Sequence, residues 1–264
     1  MLNLANLFTA ANLISGILAI VFVLSGRIDL APIAVFCGLF FDFLDGFVAR
    51  LFKTSGELGK QLDSFADMVT FGVAPGVIML VVLTVDLSSF GEGISVNSIQ
   101  NGYYAWFSAL DPFKLSGNYV PFFGLFLPFF SMFRLAKFNL DTRQSESFIG
   151  LPTPSMTLFF MTFPLALVYA MQSAESVNAF TLFLFNPWFI VGLILIFGLL
   201  MVSEIPLFSL KVKSFKWYGN EIRIMFLLIS LILILVFKVW SIALIVFLYL
   251  ILSMIENTFI KTKK

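Results

Sequence analysis

The chain has 264 residues, of which 60% are hydrophobic and 12% charged, with 35 Phe and a mean hydropathy of +1.01. A soluble domain carries about 25% charged residues to cover its surface, so this composition excludes one and leaves a polytopic membrane protein. Sixteen Lys and Arg against 15 Asp and Glu give no basic field for nucleic acid. With no His, zinc, haem and Ser-His chemistry have no ligands or base, and the single Cys, Cys37, cannot form an intrachain disulfide. Cys37 lies in an apolar run and reads as packing.

A spanning helix needs about 20 mostly apolar residues. On that criterion the expected spans are about eight, over 6–26, 30–52, 57–85, 119–139, 152–172, 179–203, 222–238 and 239–258, the last two parted by a tight turn near Lys238. The fold class expected is all-α, a single integral-membrane domain over 1–264. No basic residue precedes the first apolar stretch, so it reads as a retained span and not a cleaved signal. With both termini inside, 13 Lys and Arg fall on inner segments and 3 (Arg27, Lys114 and Lys238) on outer ones. The positive-inside rule therefore puts both ends in the cytoplasm. Residues 86–118 read as an outer loop whose Tyr103, Tyr104, Trp106 and Phe107 form an interfacial aromatic cap. Residues 204–221, with Lys211, Lys213 and Lys216, read as an inner loop drawn to anionic headgroups.

Asp42, Asp45, Asp63 and Asp67 stand in or beside apolar helices, where one charge at mid-membrane costs about 2.5–3.5 kcal/mol. At ~100° per residue, Asp42, Asp45, Gly46, Ala49 and Arg50 share an arc of about 140°, while Phe41, Phe43, Leu44, Phe47, Val48 and Leu51 lie outside it. On the next helix Gly56, Gly59, Asp63, Asp67, Thr70 and Ala74 fall within about 80°. Gln61 and Ser64 lie off that stripe. A short turn, Lys53-Thr54-Ser55, makes the two helices antiparallel neighbours. Their acidic stripes can then face each other near the inner surface. Oxygen ligands without His or Cys select a hard cation, Mg2+ or Mn2+, and four negative charges suit two divalent ions. Two-metal sites grip phosphates during in-line displacement. Gly46, Ala49 and Gly59 leave room against the backbone, and Arg50 is suited to phosphate oxygens.

Residues 42–67 read DFLDGFVARLFKTSGELGKQLDSFAD. This resembles the signature of the CDP-alcohol phosphatidyltransferases, D-x-x-D-G-x-x-A-R, then eight residues, then G-x-x-x-D-x-x-x-D. Asp42, Asp45, Gly46, Ala49, Arg50, Gly59, Asp63 and Asp67 match all its fixed positions. The resemblance implies that an alcohol attacks the lipid-side phosphorus of a CDP-linked lipid and that CMP leaves. It implies metals on Asp42, Asp45, Asp63 and Asp67, with Asp45, Gly46, Ala49, Arg50 and Gly59 lining the CDP and diphosphate. It also implies a general base at Asp67; the spacing alone does not choose between Asp67 and Asp63. MVTFGVAPG after Asp67, RLAKFNLD (134–141), FIGLPTPS (148–155) and, more weakly, residues 6–13 look like the branch that uses L-serine. CDP-diacylglycerol and L-serine are then the expected substrates, with membrane lipids around the chain and a homodimer as the assembly. The setting implied is a bacterial-type inner (cell) membrane with the site facing the cytoplasm. The motif core is 42–67, and the spans over about 179–258 are additions to it.

A serine pocket needs a cation and acceptors, which points to Arg134, Lys137, Asn139 and Arg143 at the inner end of the fourth span. Pro152 and Pro154 start the fifth helix, and Pro75 bends the third. The competing acceptors are glycerol 3-phosphate and inositol phosphate. A cation or proton transporter would spread its charges through mid-membrane, often with inverted repeats, neither of which is seen. A magnesium-dependent prenyltransferase would lack the Gly46–Ala49–Arg50–Gly59 frame.

Overall fold

The computed structural model describes residues 3–53, 56–85, 95–111, 117–141, 148–172, 179–207 and 220–257. Among these, helices α1 (Leu4–Leu24), α2 (Ala31–Leu51), α3 (Glu57–Val82), α5 (Val120–Leu140) and α6 (Thr153–Gln172) are each long and apolar enough to cross a membrane. The run Glu221–Ile255 also qualifies and is divided at Lys238–Trp240 into α8 (Glu221–Phe237) and α9 (Ser241–Ile255). The rings of Phe226 and Tyr249 lie 6.2 Å apart. Twenty-three residues of continuous helix would separate them by about 35 Å. The run is therefore a hairpin, with its turn where the sequence placed it. Lys238 makes the reversal in the left-handed region, at φ +48°.

The expected span over 179–203 is divided. A short helix, Ala179–Leu184, ends before Asn186, whose side chain caps α7 (Pro187–Val202) by accepting from the amides of Trp188 and Phe189. Asn-Pro disfavours a helical residue before the proline, and proline is at ease at a first helical position. The outer segment also departs from its reading as a loop. It contains α4 (Val96–Ala109), opened by a reciprocal Ser95–Ser98 capping box. Its Tyr103, Trp106 and Phe107 cluster with Phe122 of α5, and the Trp106 indole donates to the Asn118 carbonyl. The rest of the segment, 86–94 and 112–116, lies outside the described residues, as do Lys211, Lys213 and Lys216.

Helix α3 is the central element: two thirds of its apolar window is buried, against 11% for the α8–α9 run. Its winding loosens to a π-helix over Met68–Val73. Pro75 follows immediately and has no amide hydrogen for the carbonyl of Phe71, one α-helical turn earlier. Thr157 of α6 supplies the donor instead, its Oγ1 lying 2.8 Å from that carbonyl. Such repair is what a membrane interior demands of interrupted helices. On α2 the Phe-rich face points outward: Phe40, Phe43 and Phe47 are exposed. So is Cys37, which corrects its reading as a packing residue.

The helix ends sort the molecule into two poles. At one, the start of α3 meets the end of α5, where Lys60 Nζ donates to the Asn139 carbonyl at 2.9 Å. A two-stranded antiparallel pairing joins β1 (Phe148–Ile149) to β2 (Pro206–Leu207) there. At the other pole Arg27 bridges Asp29 at 2.8 Å, and that bond holds the Asp29 carboxyl below its usual range.

Candidate active site

The C-terminal half of α2 and the N-terminal half of α3 bring carboxylates together near the first pole. Oxygens of Asp42, Asp63 and Asp67 lie within 4.8 Å of one another. At an effective dielectric of about 20, two unit charges at that distance repel by ~3.5 kcal/mol. Among the described residues, no Lys or Arg comes within ion-pair distance of these three. Asp63 Oδ1 is buried, with no hydrogen-bond donor among the described residues. A crowded, all-oxygen, uncompensated set of this kind fits a hard divalent cation. Asp45, a turn further along α2, stands outside the trio and is buried against α1.

Helix α1 holds the carboxylates from the side. Thr9 Oγ1 donates to Asp45 Oδ2 at 2.7 Å, and Asn12 Nδ2 donates to Asp67 Oδ1 at 3.1 Å. Neither residue was given a site role from the sequence, although both lie in the 6–13 stretch that looks like the serine-using branch. The signal was there: Ala5, Thr9, Asn12, Gly16 and Ala19 form a small, polar stripe at helical spacing, and all are buried or packed inward. Gly16 is what lets α1 come so close. A Cβ at that position would lie 2.7 Å from the Cα of Thr70 in α3. Thr70 Oγ1 in turn donates to the Asn12 carbonyl at 2.9 Å.

Two cavities meet on this acidic wall. The first, of about 500 Å³, is lined by Gly46, Ala49, Arg50 and Gly59 with Asn6 and Lys60. Gly59 faces it openly, since a Cβ there would meet only Asn6 Oδ1, at 3.6 Å. Gly46 lies under the Arg50 guanidinium, whose nitrogens would be 3.7 and 3.8 Å from a Cβ at 46. The second cavity, of about 470 Å³, is lined by all four Asp residues together with Arg134, Phe138, Pro152 and Thr153. Asp45, Gly46, Arg50 and Asp63 belong to both.

Arg134 is the cation that the second cavity has in addition to Arg50. It is only 3% exposed, its Nε donates to the Leu151 carbonyl at 3.2 Å, and its guanidinium sits 5.2 Å from the Phe138 ring centre. Lys137 and Asn139, expected beside it, turn to other partners. Lys137 reaches Glu204 at 3.2 Å and the Val202 carbonyl. Asn139 donates to Ser64 Oγ at 2.7 Å, on the flank of α3. Arg143 lies outside the described residues.

The sequence model of the CDP-alcohol phosphatidyltransferase family matches residues 2–183. CDP-diacylglycerol–serine O-phosphatidyltransferase of Helicobacter pylori strain J99 is 32% identical over 262 residues, 98% of this chain and 92% of that one. The protein of the same name from Bacillus subtilis strain 168 is 32% identical over 159 residues, 60% of this chain and 73% of that one. Archaetidylserine synthase of Methanothermobacter thermautotrophicus is 29% identical over 175 residues, 65% of this chain and 61% of that one. With the family match covering well over half of its length, and the eight signature residues gathered around one acidic wall, this integral membrane protein belongs to the CDP-alcohol phosphatidyltransferase family.

Proposed function

We propose that this chain transfers the phosphatidyl group of CDP-diacylglycerol to L-serine, giving phosphatidylserine and CMP. The carrying observation is the single acidic wall shared by two cavities, one rimmed by the glycines and Arg50, the other by Arg134. The relatives with this name, one of them matched along nearly the whole chain, support serine as the acceptor over glycerol 3-phosphate or inositol phosphate.

In this reading the first cavity takes CDP, with its diphosphate along Gly46, Ala49 and Gly59 and facing Arg50. Asp42, Asp63 and Asp67, with Asp45 beside them, would hold Mg2+ or Mn2+, two ions by charge count, and bound metal would supply positive charge to the diphosphate oxygens. Arg134 faces the serine carboxylate from the second cavity. The serine hydroxyl oxygen bonds to the lipid-side phosphorus while the bond from that phosphorus to the bridging oxygen breaks. Its proton passes to a carboxylate of the wall, Asp67 or Asp63, and CMP departs with the bridging oxygen. Thr9 and Asn12 hold Asp45 and Asp67 in place.

The test is CMP release from CDP-diacylglycerol by the purified full chain, with serine, glycerol 3-phosphate and inositol phosphate as acceptors. Turnover is expected with serine alone, only with Mg2+ or Mn2+, and to stop on chelation. Arg134→Gln is expected to raise KM for serine at least tenfold with little change in KM for the lipid. Turnover with another acceptor and none with serine overturns the serine assignment. An unchanged serine KM in the variant removes Arg134 from the pocket. The mass of the purified particle reports the homodimer implied by the family resemblance.

A further inference from the structure

The pole remote from the carboxylates holds a different kind of cavity. It is about 250 Å³ and lies among α6, α7 and the start of α9, with Phe159, Phe163, Leu193, Trp240, Ala243 and Phe247 in its walls. Its surface is wholly apolar. Protein interiors are close-packed, so an apolar space of this size suits an apolar occupant. Phe180, Phe237 and Phe247 at its edge are 64%, 49% and 40% exposed, so it opens sideways, away from the helical core. At that depth the surroundings offer hydrocarbon chains.

The rim is charged. Lys238 follows Phe237 directly and is held by its left-handed backbone at the tip of the α8–α9 hairpin. Its Nζ is 3.2 Å from Tyr169 Oη and 5.5 Å from the centre of that ring. Among the described residues it has no carboxylate within ion-pair distance, whereas Arg27 at the same pole is closed by Asp29. Most of the cavity's lining comes from residues 187–255, beyond the stretch matched by the family. The transferase reading gives this cavity no task.

We propose that the far pole binds one anionic membrane phospholipid, with an acyl chain in the Phe159–Phe247 cavity and its phosphate at Lys238 and Tyr169. The commitment to an anionic lipid rests on an ammonium that has no carboxylate partner among the described residues, beside a purely apolar hole. A Lys at a membrane surface favours an anionic lipid by about 1 kcal/mol, equivalent to about five-fold in affinity.

The experiment is native mass spectrometry of the purified, delipidated full chain, offered equal amounts of phosphatidylglycerol and phosphatidylcholine with the same acyl chains. EDTA is present throughout, so that lipid phosphate cannot bridge to metal at the carboxylates. The wild type is expected to retain one phosphatidylglycerol in preference to phosphatidylcholine. Lys238→Gln is expected to lower retention of phosphatidylglycerol about five-fold and abolish the preference. Ala243→Phe, which fills the cavity, is expected to weaken both lipids. Equal retention by the wild type, or a surviving preference in Lys238→Gln, overturns the headgroup assignment. Unchanged binding in Ala243→Phe overturns the acyl-chain assignment. Metal-replete CMP release at the wild-type rate reports that each variant is folded. If Ala243→Phe does not fold, Ala243→Leu fills part of the same space and is read the same way.

Discussion

Asp67 stands at the junction of three demands: it belongs to the carboxylate trio, it lines the second cavity, and its Oδ1 is already engaged by Asn12. Asp67→Asn preserves its size and removes its charge. Turnover with serine is expected to fall at least 100-fold, in line with the loss of a general base or a metal ligand. Binding of CDP-diacylglycerol, measured by calorimetry, separates the two: preserved affinity points to the base, weakened affinity to the ligand. Near-wild-type turnover would remove Asp67 from both roles. The carboxylates were legible in the sequence because a charge in an apolar helix is costly and stands out. Thr9 and Asn12 were not, since a neutral polar group in α1 draws no comparable attention. Equal depth did not fix direction: Asn139 lies about 140° around the helix from Arg134, and its side chain turns to Ser64 on α3. Lys137 lies nearer in angle, but its long stem carries the ammonium to Glu204.

Among the elements, α1 and α3 depend on a contact that only glycine permits. In Gly16→Val the new side chain would be driven into the backbone of Thr70. Overpacking of this kind costs about 1–3 kcal/mol. The thermal midpoint of the purified protein in detergent is expected to fall by several degrees, and activity with it, because Asn12 sits one turn away. Gly192 in α7 is the control, with nothing within 4 Å of a Cβ. Gly192→Ala is expected to leave the midpoint unchanged or raise it, as Ala is the better helix former. An equal loss in both variants would show that the close approach is not the cause. Hydropathy located the long helices and even the turn at Lys238, because burial in lipid leaves a continuous apolar record. It could not show the π-helix of α3, which depends on the distant Thr157 hydroxyl as well as on Pro75. It passed over α4, whose Asn, Ser and Gly content reads as loop until its Ser95–Ser98 cap is recognised.

Across the whole molecule the described basic residues divide unequally. Arg50, Lys53, Lys60, Arg134, Lys137 and Arg223 lie toward the carboxylate pole, and Arg27 and Lys238 toward the other. The positive-inside rule then predicts that the site faces the cytoplasm. With Cys37 replaced by Ser, intact cells expressing Asn101→Cys are expected to react with a membrane-impermeant maleimide, while Gln61→Cys reacts only after lysis. The reverse pattern would invert the orientation. The paired chambers carry a consequence for how such proteins diversify. In the proposed reading, helices α1 to α3 furnish the donor compartment, while α5 and α6 furnish most of what is new in its neighbour. A descendant could therefore exchange one headgroup for another by altering the side chains around Arg134, Phe138 and Thr153, while the machinery that grips the activated lipid passes on intact.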